Sequence, residues 1–149
     1  MIKKIGIYVL CLSVLFGQCS IAEEKFISLK KDKVNVRYGP SFESKIKYIY
    51  KKINLPIKQI DQKENFRRIV DLNNNSGWIH VSQVKKLNSI IILEDKILYK
   101  KPSNFSKPIA KLEKGRLLVL KKCENIWCNV KTADYSGWVK AENIWGSIK

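Results

Sequence analysis

Cys123 and Cys128 flank the four residues Glu124-Asn125-Ile126-Trp127 and carry the plainest covalent chemistry in the sequence. The intervening residues read as a short hairpin turn with one cysteine on each strand, so an oxidising compartment joins the two thiols as a disulfide. Closing so small a loop is worth roughly 2 kcal/mol, a large part of a small domain's stability. Other covalent or metal chemistry finds little to use. His80 is the single histidine, and zinc binding or a Cys-His nucleophile needs more partners than that. Nucleophile elbow, phosphate loop and paired histidines are all missing from the sequence, and its carboxylates scatter over turns. The expectation is a non-catalytic protein with no metal and no cofactor.

Recognition by aromatic and cationic side chains is the remaining chemistry. The stretch NNNSGWIHVSQV, residues 73 to 84, returns as ADYSGWVKAENI at 133 to 144, with Gly-Trp displaced by sixty positions. In each copy alternation sends Ile79 and Val81, or Val139 and Ala141, one way and Trp78 and His80, or Trp138 and Lys140, the other. A strand that buries its β-branched set must show its tryptophan at or near the surface. Val130 and Cys128 belong to the core side by the same count, which leaves Trp127 beside Trp138 on the outside, with Tyr99 and Tyr135 able to line the same groove. Rigid rings with a polar edge suit an extended peptide or sugar rings. The alternative is that the two indoles pack on each other or on the first module. The corresponding set in the first copy is Phe66, Trp78 and Tyr38, with Arg37 and Arg68 placed to hold a carboxylate. His80 faces the Trp78 side, and Trp145 follows the last strand, where it caps the barrel or lies between the modules.

Compartment and charge narrow the partners. Lys3 and Lys4 precede an apolar run from Ile5 to Phe16, and Ser20-Ile21-Ala22 ends the segment with small residues where a signal peptidase reads. Residues 1–22 are therefore expected to be a signal peptide, cleaved before Glu23, with the mature protein in the periplasm. A retained membrane anchor and a lipoprotein through Cys19 are the alternatives; the second meets Gln18, where a small residue is wanted. Loss of Lys3 and Lys4 takes the 29 bases to 27 against 13 acids, a net charge of +14. Cys11 and Cys19 leave with the same segment. So basic a surface is drawn to an anionic surface such as acidic lipid, lipopolysaccharide or nucleic acid, but the lysines are scattered, and no specific nucleic acid is expected.

The elements that position these side chains are short strands. Phe26 to Leu29, Val34 to Arg37, Leu55 to Ile60, Phe66 to Asp71 and Gly77 to Val81 alternate or run apolar between turns marked by Gly39-Pro40, Asn54, Asp61 to Asn65 and Asn73 to Ser76. Ile46, Ile49 and Tyr50 supply further apolar contacts. Ser82-Gln83-Val84 has the length of one helical turn. After a polar linker, Lys85 to Ser89, the order repeats through Ile90 to Leu93, Lys96 to Tyr99, Leu117 to Lys121, Trp127 to Lys131 and Gly137 to Ala141. Nothing shows helical periodicity beyond a turn or two, so the fold class is all-β: two tandem small antiparallel barrels, residues 25–84 and 90–147.

VNVRYGPS, INLPIKQI, ENFRRIVDL and SGWIHVSQV, then KCENIWCNV and YSGWVKAENIWG, together resemble the bacterial SH3-like family that occurs as exported proteins with two such domains, common in alphaproteobacteria. The resemblance covers nearly all of the mature chain. It implies a five-stranded SH3-like barrel, repeated, in a family whose distant relatives serve as wall-targeting modules of peptidoglycan enzymes. Phe66 stands where the family usually has tryptophan, and Asn54 where it usually has glycine. The functional expectation is a binding module for a cell-wall peptide, such as a peptidoglycan stem peptide, or for a segment of an envelope protein. The rival is a basic protein that binds polyanions.

Overall fold

A computed structural model describes residues 24–146, so the expected signal segment and the expected cleavage point before Glu23 lie outside the described residues. Fourteen strands form two antiparallel sheets of seven. The first sheet holds β1 (Lys25–Leu29), β2 (Val34–Arg37), β3 (Ile46–Tyr50), β4 (Pro56–Lys63), β5 (Phe66–Val70), β6 (Ser76–His80) and β7 (Val84–Lys86) in the order β3-β2-β6-β5-β4-β1-β7. The second holds β8 (Ser89–Ile92), β9 (Lys96–Tyr99), β10 (Pro108–Leu112), β11 (Leu117–Glu124), β12 (Trp127–Lys131), β13 (Ser136–Lys140) and β14 (Ile144–Trp145) in the corresponding order β10-β9-β13-β12-β11-β8-β14. The sequence repeat is thus a repeat of topology, two SH3-like barrels in tandem, each with seven short strands rather than the five that the resemblance implies. A single 3-10 turn, Val81–Gln83, is the one helical element described, and no described helix is long and apolar enough to cross a membrane.

The alternation places Ile79, Cys128, Val130 and Val139 in the cores as read, whereas Val81, read on the same side as Ile79, opens the 3-10 turn and is only half-buried. Val34, Val36, Ile57, Ile69 and Ile79 are fully buried in the first barrel, and Leu98, Leu118, Cys128, Val130 and Val139 in the second. One residue of β4 and one of β11 are extra, in bulges between Gln59 and Asp61 and between Leu120 and Lys122. Such bulges bend a strand, and these two let β4 pair with both β1 and β5, and β11 with both β8 and β12. Asn54 takes a positive φ of 62°, as its place in the turn requires.

Three readings need correction. Ile46 and Ile49 are exposed, and it is Tyr48 and Tyr50 that pack on the first core; the register of β3 against β2 turns the isoleucines outward. The stretch Lys85 to Ser89 is no solvated linker. Val84–Lys86 is the edge strand beside β1, and Ser89 is buried with its hydroxyl 3.0 Å from that of Ser28. Asp61 to Asn65 is mostly strand, and only Glu64-Asn65 turns.

Candidate functional site

The glycines of the repeated Gly-Trp dipeptide explain where the tryptophans sit. A Cβ on Gly77 would lie 2.3 Å from Val36 Cγ1 and 3.0 Å from the Arg37 carbonyl oxygen, and one on Gly137 2.6 Å from the Tyr99 carbonyl oxygen. Only glycine lets β6 pass so close to β2, and β13 to β9. The next residue is thereby set opposite the end of that strand: Trp78 faces Arg37, and Trp138 faces Tyr99.

In the first barrel this juxtaposition builds a cationic face. Trp78 is paired across the ladder with Arg37 on one side and Arg68 on the other. These three, with Tyr38, Lys47, Ser76 and Gly77, line a pocket of about 120 Å³ that contains no carboxylate. Lys47 Nζ lies 5.7 Å from the centre of the Tyr38 ring and donates to the Ser76 carbonyl at 2.9 Å. Arg37 is held by its own loop, donating to the carbonyls of Phe42 at 3.0 Å and Ser44 at 2.7 Å. Arg68 is exposed. Trp78, Tyr38, Arg37 and Arg68 are therefore brought together in one pocket.

Phe66 is not part of that pocket. It is buried under Phe42 and His80, with ring centres 5.3 Å and 5.2 Å away, and Phe42 in turn lies beneath the Arg37 guanidinium. The sequence reading missed Phe42, whose signal was an aromatic residue in the loop directly after Gly39-Pro40-Ser41. His80 does structural work at this place: its Nδ1 accepts from the Ser82 backbone N–H and caps the 3-10 turn.

The second barrel corrects a central expectation. Trp127 and Trp138 lie on the outer side of their strands, as alternation requires, but they are 9% and 8% exposed. They do not stack on each other among the described ring pairs. Lys140 Nζ sits 5.8 Å from the Trp127 ring centre and Lys122 Nζ 5.3 Å from that of Trp138, and Tyr99 meets Trp127 edge-on at 5.7 Å. The ammonium groups thus lie over the two rings as cation–π contacts and, with Tyr99, take up part of the indole faces. Tyr135 lies in the turn after β12, where Thr132 Oγ1 accepts from its N–H at 3.0 Å. It stacks on none of the described rings. A pocket of about 180 Å³ does open beside Tyr99, lined also by Asn104, Lys140, Glu94, Lys96 and Glu142. Glu94 is held below the usual carboxylate range by its bond to Lys96 and then by Asn143.

Cys123 and Cys128 form the disulfide, paired directly across β11 and β12. Among the described residues, no three His, Cys, Asp or Glu side chains gather as a metal site would require.

The Bacterial SH3 domain family model matches residues 30–86 and 95–146, and the chain belongs to that family. Such domains are binding modules and typically non-catalytic. No curated protein matches the chain. Solved structures similar to it include NlpC2 and NlpC1 from Trichomonas vaginalis, each at 10% identity with a TM-score of 0.39; 83% and 86% of this chain are covered. The chain spans 48% of the length of each.

Proposed function

We propose that this bacterial SH3 protein is a non-catalytic periplasmic binding module, exported by a signal cleaved before Glu23, that holds an extended peptide on the outer face of its first barrel. The ligand is a peptidoglycan stem peptide or a segment of an envelope protein. The observation that carries the reading is Trp78 set between Arg37 and Arg68 in a pocket without a carboxylate. An indole offers an apolar face to a peptide backbone, and a guanidinium offers paired donors to a terminal or side-chain carboxylate. This moves the weight away from Trp127 and Trp138, whose faces lysines already cover. The second barrel contributes Tyr99 and the pocket beside it as a subsidiary site, and Tyr135 no more than a rim.

The test is retention of the exported protein on peptidoglycan sacculi and on immobilised envelope extract, against Trp78→Ala shown to be folded. Retention that falls about tenfold or more in the variant supports the reading, since a hot-spot tryptophan is worth about 2 kcal/mol. A folded variant retained as well as the parent, or a parent retained by neither material, refutes it.

A second reading rests on the same cations. Three bases around one pocket and a net charge of +14 also suit a generic polyanion. Binding that vanishes uniformly with salt and is blind to Trp78 would favour it.

A further inference from the structure

The loops that follow β2 and β9 share one hydrogen-bonded frame. Ser41 N–H donates to the Gly39 carbonyl, Ser44 N–H to that of Ser41, and Glu43 N–H to Ser41 Oγ. In the second barrel Ser103 N–H donates to the Lys101 carbonyl, Ser106 N–H to that of Ser103, and Phe105 N–H to Ser103 Oγ at 3.2 Å. Residue 104 thus answers Phe42, and residue 105 answers Glu43. In the first loop the aromatic ring takes the inward place, on Phe66 and His80, and a carboxylate takes the outward one. The second loop reverses this. Asn104, itself exposed, takes the position of Phe42 on the rim of the pocket beside Tyr99, and Phe105 stands fully in solvent at 101% exposure.

A ring that touches nothing gives the fold nothing, and a frame of four hydrogen bonds, with Lys101 N–H on Ser106 Oγ at 2.8 Å, presents it at a fixed position. The loop from 100 to 107 contains no acid and three exposed lysines, Lys100, Lys101 and Lys107, none in an ion pair among the described residues. The acids Glu94 and Asp95 are engaged by Lys96 and Lys111; Glu142, on the rim of the pocket beside Asn104, forms none of the described ion pairs. An apolar tip ringed by cations is complementary to one kind of surface, an anionic bilayer, whose headgroup layer accepts the ring while its phosphates face the ammonium groups.

We propose that the β9–β10 loop is an interfacial anchor, with Phe105 entering the headgroup region of an anionic membrane and Lys100, Lys101 and Lys107 lying against its phosphates. This is independent of the peptide face of the first barrel. Each lysine near the surface strengthens partitioning roughly fivefold, and partial burial of the phenyl ring adds about tenfold.

The test is co-sedimentation of the exported protein with phosphatidylcholine vesicles, with and without phosphatidylglycerol, at low and physiological salt. The parent partitions onto the anionic vesicles alone. Phe105→Ser loses about tenfold with an unchanged melting temperature, and the triple change of Lys100, Lys101 and Lys107 to Gln removes most of the salt-sensitive part. Trp78→Ala binds vesicles like the parent. Equal partitioning of Phe105→Ser and the parent overturns the proposal, as does equal binding to neutral vesicles. So does full competition by soluble glycerophosphate, which would mark a site for a free anion instead of a bilayer.

Discussion

The indole N–H of Trp145, at the end of the second sheet, donates to the carbonyl of Pro56 in the first, 2.9 Å away and 89 residues earlier in the chain. Its ring meets Phe26 edge-on at 5.1 Å. Of the two places read for Trp145, the structure takes the one between the barrels, where Ser28, Asn54, Asn88 and Ser89 continue the contact through hydrogen bonds. Trp145→Phe should cost about 1 kcal/mol, the value of one hydrogen bond, and Trp145→Ala about 2 to 3 kcal/mol, since the ring contact is lost as well. Urea unfolding checks this. Two separated transitions in the alanine variant, where the parent shows one, would mark Trp145 as the residue that couples the barrels.

Lys96 should be replaceable with profit to the fold. It occupies in β9 the place that Val34 occupies in β2, a core-facing position, and its side chain is 6% exposed. The ammonium reaches Glu94 at 2.8 Å, but that carboxylate is half exposed, so the pair offsets little of the cost of holding a charge at a core position that an apolar residue would fill. Lys96→Val is expected to raise stability by about 1 kcal/mol. Glu94 stays solvated and keeps its bond from Asn143, so no charge is stranded. A lower urea midpoint would refute the prediction.

Period-two alternation and the sixty-residue repeat made the strand order and the core parity legible, because both depend on which residues are apolar and little else. Side-chain cover was not legible. Alternation assigns Trp127 and Trp138 to the outer side correctly, yet says nothing of whether Lys140, one strand from Trp127, and Lys122, two strands from Trp138, will reach over them. Register hid in the same way: Ile46 and Ile49 look like core until the pairing of Val36 with Tyr48 shows which parity of β3 faces inward. Phe42 and Phe105 are one step out of line in loops of equal frame, and only the hydrogen bonds of Ser41 and Ser103 bring them into alignment.

Alkaline pH should unfold the first barrel through Tyr50. Its hydroxyl donates to Asp71 Oδ2 at 2.9 Å and lies 3.3 Å from that of Tyr48. Burial first, then these two bonds, pushes its pKa well above the ordinary value. The unfolded chain therefore releases this proton near pH ~10 while the folded chain keeps it, so the unfolded state binds fewer protons and stability falls as pH rises further. The contribution is fully present below that pH. Tyr50→Phe should cost about 1 kcal/mol at neutral pH through the lost bond and show a shallower fall in urea midpoint above pH ~10. Parallel curves for parent and variant would exclude Tyr50 as the group responsible.

Reduction of Cys123–Cys128 should destabilise the protein through its second barrel. The bond closes a loop with a sequence separation of 5, for which chain entropy gives roughly 2 kcal/mol. Cys128 is fully buried in the core, so the reduced thiol stays packed and the barrel should remain folded at moderate temperature. Thermal unfolding with and without reductant, followed by the emission of Trp127, Trp138 and Trp145, all in the second sheet, in a Trp78→Phe background, reads the effect. An unchanged midpoint would show that the β11–β12 hairpin needs no covalent closure.

The two arginines beside Trp78 should separate when each is changed to glutamine. Arg37 spends its guanidinium on the carbonyls of Phe42 and Ser44 and lies over the Phe42 ring at 5.7 Å. Its loss unties the loop, and Arg37→Gln should lower stability by about 1 to 2 kcal/mol as well as weaken binding. Arg68 is exposed and makes no ion pair among the described residues. Arg68→Gln should therefore leave the urea midpoint where it is and weaken retention on a carboxylate-bearing peptide ligand by about fivefold to tenfold, the value of one charge-assisted bond. The residual binding should also be less sensitive to salt, because one fewer charge is screened. If Arg68→Gln binds as the parent does while Arg37→Gln is merely unstable, the guanidinium groups serve the loop, and the pocket beside Trp78 has no anionic ligand to hold.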